Sequence, residues 1–116
     1  MRVSGRDGRA GQDVLRKVGE ASVLILISLA DGPKHGYALT KDIEQFAGLR
    51  LAPGTLYEAL SRLESQGFIE ALESQDRRRP YQLTASGATA LRTHLAGQRQ
   101  VAEVGLSRLA RSWGTA

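Results

Sequence analysis

The 116-residue chain contains no cysteine, two histidines, three prolines and one tryptophan, and aromatic residues make up 5% of it. The absence of cysteine excludes a disulfide framework, thiolate catalysis and the usual thiolate zinc sites. His35 and His94 are far apart in the chain, so no metal or acid-base cluster suggests itself; no cofactor and no enzymatic activity are expected. Long apolar runs are also missing. The longest largely apolar stretch, Val23 to Ala30, falls well below the roughly 18 residues that span a bilayer, and no charged, cleavable leader precedes it. A cytoplasmic protein with no membrane partner is expected. Its length suits a single domain, and 41% hydrophobic with 24% charged residues suits a globular one.

Basic residues outnumber acidic ones sixteen to twelve, giving a formal charge of +4, and thirteen of the sixteen are arginine. Arginine's planar fork matches phosphates and guanine edges, so nucleic acid is an admissible partner. The excess is unevenly spread: residues 1–34 carry +2, 35–64 carry −1, 65–84 carry 0 and 85–116 carry +3. Attraction from the terminal segments would be independent of nucleic-acid sequence.

Residues 1–12 hold three glycines and three arginines with almost no large apolar side chain, and read as a flexible basic arm or a frayed terminus. Asp13 is a candidate N-cap for a first helix with the stripe Val14, Val18, Ala21, Ile25, Leu29, ending at Asp31-Gly32-Pro33. Ser22 and Ser28 interrupt its other side, yet Val23, Leu24, Leu26 and Ile27 leave the second half apolar nearly all round, so it must be covered on more than one side. Leu39, Ile43 and Phe46 give a short second helix ending at Gly48. Pro53 opens a third, with Leu56, Ala59, Leu60 and Leu63 on one face and a stop at Gly67. Three helices with two tight connections make a helix-turn-helix core.

The period then changes. Phe68–Glu73 and Pro80–Thr84 read as two strands around a polar tip, Ser74 to Arg79, a wing; Pro80 has no N–H to give, so the return strand should start late. From Thr84 or Ser86 as N-cap, a last helix runs to about Trp113 with Leu91, Leu95, Ala102, Leu106, Leu109 and Trp113 on one stripe. About 28 residues extend roughly 42 Å, and Gly97 and Gly105 each cost it roughly 1 kcal/mol relative to alanine. Such a helix is expected to dock on a second copy as a two-fold dimer. The predicted fold is mainly α with a small β-hairpin: an arm over 1–12, a winged helix-turn-helix over 13–84, and a dimerisation helix over 85–116.

Residue by residue, the chain resembles the PadR family of bacterial transcriptional regulators. The resemblance rests on Leu29-Ala30-Asp31-Gly32-Pro33-Lys34-His35-Gly36-Tyr37-Ala38-Leu39, on Pro53-Gly54-Thr55-Leu56-Tyr57 running into Arg62-Leu63-Glu64-Ser65-Gln66-Gly67-Phe68-Ile69, and on Arg77-Arg78-Arg79-Pro80-Tyr81-Gln82-Leu83-Thr84. These cover most of residues 25–87, in an order far more specific than any single motif, and the one helix after the wing is similar to the family's shorter branch. The resemblance implies a dimeric regulator, often a repressor, that responds in some members to a flat hydrophobic effector held at the dimer interface.

Physically, Gly36 lets the second helix start close to a neighbour, and Tyr37 is expected as a buried ring with its hydroxyl satisfied at the edge. His35 and Lys34 are either turn residues or phosphate contacts. The start of a recognition helix enters the major groove, which makes Thr55, Tyr57, Ser61 and Arg62 candidate DNA contacts; Tyr57 and Arg62 have packing or local pairing as alternatives. Ala52 replaces the family's common small hydroxyl residue, so the third helix lacks an obvious cap. Glu58, where the family often has proline, either accepts from a cytosine amine or holds Arg62. Arg77, Arg78 and Arg79 at the wing tip suit a phosphate backbone or a narrow minor groove, with pairing to Glu70, Glu73 or Asp76 as the alternative. Trp113 is either an anchor of the dimer seam or, with Val101 and Leu106, part of an effector site. A protein-interaction module built on the same winged helix is the competing function.

Overall fold

Residues 20–74 and 78–114 are described by the computed structural model. The arm, the Asp13 cap, Val14, Leu15, Val18 and Arg77 lie outside the described residues.

Residues 20–29 are helical (α1), and Ala21, Ile25 and Leu29 of the expected stripe are buried together with Leu26. Val23, Leu24 and Ile27 pack against the same core from its margins. Ser28 is no break in an apolar surface: it is buried, and its hydroxyl donates to Asp42 Oδ2 at 2.6 Å, tying α1 to the next helix. α2 spans Gly36–Ala47 with Leu39 and Ile43 buried, and ends where Gly48, at φ 67°, donates its N–H to the Glu44 carbonyl. Phe46, in the last turn, remains half exposed.

α3 spans Pro53–Ser65 and buries the four residues expected of it, Leu56, Ala59, Leu60 and Leu63. Proline at its start loses no hydrogen bond there, since the first N–H of a helix has no partner inside it. Its N-cap is Ala52, without a side-chain bond to replace the missing hydroxyl. Gly67 (φ 80°) turns the chain out of α3, and Phe68 N–H closes on the Leu63 carbonyl.

The wing is an antiparallel pair, β1 (Ile69–Ala71) and β2 (Tyr81–Leu83), in the register Ile69 to Leu83, Glu70 to Gln82 and Ala71 to Tyr81. Both strands are shorter than the spans read from sequence. Pro80 contributes only its carbonyl, which accepts from Leu72 N–H, and β2 accordingly starts one residue later. Tyr81 also exchanges both backbone bonds with Lys34, so the α1–α2 connection adds a one-residue rung to the free edge of the hairpin.

α4 runs from Ala85 to Trp113, 29 residues or about 43 Å. Thr84 is its N-cap, accepting from Gly87 N–H at 3.0 Å. The Thr84 and Ser86 hydroxyls both donate to the Gly67 carbonyl, at 2.7 and 3.1 Å, while Thr84 N–H donates to the Phe68 carbonyl. The start of α4 is thereby fastened to the end of α3. Only Gly87 and Leu91 of α4 are buried; from Arg92 outward every described residue is exposed, on a body 57 Å long.

Candidate nucleic-acid interface

The start of α2, the first turns of α3 and the wing meet around a concave notch of about 340 Å³. His35, Tyr37, Tyr57, Arg78, Arg79 and Tyr81 line it, with Gly36 at its edge. The position of Tyr57 depends on that glycine. A Cβ on Gly36 would stand 2.6 Å from Tyr57 Oη and 3.3 Å from Cζ, so the bare backbone is what allows the ring to lie across the start of α2. The obstructing atoms are the far end of a side chain that is 55% exposed and free to move. Gly36→Ala should therefore keep the melting temperature within roughly 3 °C, the range of a surface change, while shifting the Tyr57 ring signals in an NMR spectrum. A large fall in melting temperature with unmoved Tyr57 resonances would contradict this packing.

Burial raises the Tyr81 hydroxyl above its ordinary pKa, with Glu64 and the Tyr57 phenol adding to the shift and Arg79 opposing it. Near neutral pH it is a hydrogen-bond donor with no charge to repel an anion.

Of the DNA-contact residues expected from sequence, the structure brings His35, Tyr57, Arg78 and Arg79 to the notch. Thr55 is half-buried at the start of α3, and Ser61 is exposed further along it. Lys34 is engaged elsewhere: its ammonium donates to the Ser28 carbonyl at the end of α1 and lies 4.0 Å from Asp31. Arg62 Nη2 donates to Ser22 Oγ on α1 at 3.4 Å, about 140° around α3 from Tyr57. Glu58 is exposed on the outer side of α3 with Gly54, Ser61 and Ser65.

Tyr37 corrects the sequence reading. It is 67% exposed and not a core ring. With Leu39 and Ile43 inward, a period of 3.6 places Tyr37 on the opposite side of α2, so the signal was available in the buried pair. Lys41 was missed as well: one turn on, its Nζ lies 5.7 Å from the Tyr37 ring centroid, in cation–π range. Among the described residues no group of three or more His, Cys, Asp or Glu could hold a metal ion, and no helix is long and apolar enough to cross a membrane.

The sequence profile of the transcriptional regulator PadR-like family matches residues 25–93. A transposon-borne 37.1 kDa protein of Streptomyces fradiae is 49% identical over 71 residues, which is 61% of this chain and 21% of that protein. A transcriptional regulator of Mycobacterium tuberculosis is 39% identical over 70 residues, 58% of this chain and 64% of the relative. The matches thus span less than two thirds of either relative's length. Among solved structures, a PadR family transcription regulator from Clostridium difficile superimposes with a TM-score of 0.69 at 29% identity, over 77% of this chain and 97% of that one.

Proposed function

Because the chain belongs to the transcriptional regulator PadR-like family, whose members are regulators and not enzymes, we propose that it is a cytoplasmic, homodimeric, sequence-specific DNA-binding repressor. The observation that carries this reading is the convergence of α2, α3 and the wing arginines on one face. In it, the first turns of α3 enter the major groove with Thr55, Tyr57 and Ser61 toward the DNA, and Arg78 and Arg79 take flanking phosphates. Two such helices about 34 Å apart read an inverted repeat. Arg62 acts from behind, holding α3 to α1.

Dimerisation is supported by the outer part of α4. Beyond Leu91, the stripe of Leu95, Ala102, Leu106, Leu109 and Trp113 is exposed in the single subunit, Leu106 at 67% and Trp113 at 80%. Leu95 also borders an apolar groove of about 600 Å³ lined by Val23, Leu24, Ala47 and Leu49, which a second copy would cover. A small hydrophobic effector, if it enters this seam, meets Leu106 and Trp113. Val101, the third residue expected there, lies roughly 140° around α4 from Leu106.

Footprinting on the DNA upstream of the protein's own gene tests partner, symmetry and spacing together; absence of any protected repeat would overturn the reading. Arg78→Ala and Arg79→Ala should weaken binding to all duplexes alike and lower the salt slope by about one unit per lost phosphate contact. Unchanged affinity and slope would remove the wing from the contact.

A further inference from the structure

The chain has three tyrosines, Tyr37, Tyr57 and Tyr81, one in each of the three motifs that define its sequence. They are far apart in the chain and sit on three different elements, yet all three line the same notch. Two of them expose more than half their surface, an arrangement core packing does not require. Arg78 and Arg79 line the notch beside them and Lys41 lies over the Tyr37 ring, while Glu64 is the one acidic group felt by Tyr81. Phenol hydroxyls donate hydrogen bonds without bringing a charge, and guanidiniums neutralise; that combination suits a tetrahedral oxyanion with several oxygens to satisfy.

We propose that the three tyrosines and Arg79 form a seat for one phosphodiester of the DNA backbone, which fixes the register of α3 in the groove. The inference rests on the DNA-binding reading and deepens it, assigning to Tyr37 and Tyr81 a contact beyond those given to α3 and the wing arginines. Gly36 leaves room for the Tyr57 ring across the start of α2, and Tyr81 is placed by its backbone pairing with Lys34, so the fold brings the rings to one face. Base readout by α3 then starts from a fixed point on the backbone.

The test replaces hydroxyls while keeping rings. Y37F, Y57F and Y81F, singly and together, are compared with the full-length wild type on a duplex from upstream of its own gene, and again on a series of duplexes in which one phosphate at a time is a neutral methylphosphonate. Each lost bond to a charged oxygen should weaken binding roughly tenfold. One phosphate position should be special: its neutralisation should weaken the wild type by a larger factor than the triple variant, which keeps only Arg79 there, with all melting temperatures alike. A triple variant of wild-type affinity, or methylphosphonate losses equal in both proteins at every position, would overturn the seat while leaving DNA binding standing. A wild type that binds no duplex would overturn the DNA reading and the seat with it.

Discussion

Gly87→Ala is expected to lower the melting temperature by roughly 10–20 °C, equivalent to about 2–3 kcal/mol for a domain of this size. An added Cβ would lie 2.0 Å from the Phe68 carbonyl oxygen and 2.9 Å from its carbon, both backbone atoms held by the turn between α3 and β1, and 3.0 Å from the Leu83 side chain. The two backbone atoms cannot swing aside as the Tyr57 ring can. The same carbonyl accepts from Thr84 N–H, and the neighbouring Gly67 carbonyl accepts from Thr84 and Ser86, so relief of the clash would break the joint that seats α4. Gly97→Ala is the matched control: the same helix, with nothing within 4 Å of the added carbon, should gain roughly 1 kcal/mol from helix propensity. Thermal unfolding followed by circular dichroism checks both, and equal melting temperatures for the two variants would refute the close approach.

In the proposed dimer, Leu106→Glu should release a monomer at micromolar concentration and reduce affinity for the proposed inverted repeat about a hundredfold or more. Leu106 has no core to support in the single subunit, so fold and helix persist, glutamate being a good helix former. In the seam it would set a carboxylate against the apolar stripe of the partner, where an unpaired charge is strongly disfavoured. Once the subunits part, the second half-site is no longer bound at high effective concentration, a gain typically of ~10²–10⁴. Affinity for an isolated half-site should be unchanged. Sedimentation together with binding to full and half operators checks this, and a variant that remains dimeric would move the seam away from the outer half of α4.

The features legible in the amino-acid order were those with a local cause. The inward faces of α2 and α3 follow from spacing within a few residues, the stops at Gly48 and Gly67 from positive φ, and the Thr84 cap from a hydroxyl three residues before an otherwise unpaired N–H. What escaped depends on partners distant in sequence. A single backbone rung between Lys34 and Tyr81 leaves no periodic trace. Ser28 is polar and buried because Asp42, fourteen residues on, accepts its hydrogen bond. Gly87 gave no hint that a carbonyl lay against it, and Arg62 has a side chain long enough to reach either the outer side of α3 or α1. At the notch, each tyrosine was readable in its own motif, while their convergence was not. Tyr37 is exposed because its position on α2, opposite Leu39 and Ile43, and not the size of its ring decides its side.

The fastening of α4 to the turn after α3 turns a long helix into a lever. With Thr84 and Ser86 bound to Gly67, and Gly87 seated on Phe68, the start of α4 is tied to the end of α3, so under the proposed function an angular change at the far end of α4 would be passed toward α3. Over about 43 Å, a tilt of roughly 5° corresponds to a displacement of about 4 Å, close to the ~3.4 Å rise of one base pair along a strand. In the proposed dimer, a molecule that opens the seam between two such levers by a few degrees would thus move the two α3 helices out of step with their proposed half-sites without unfolding either domain.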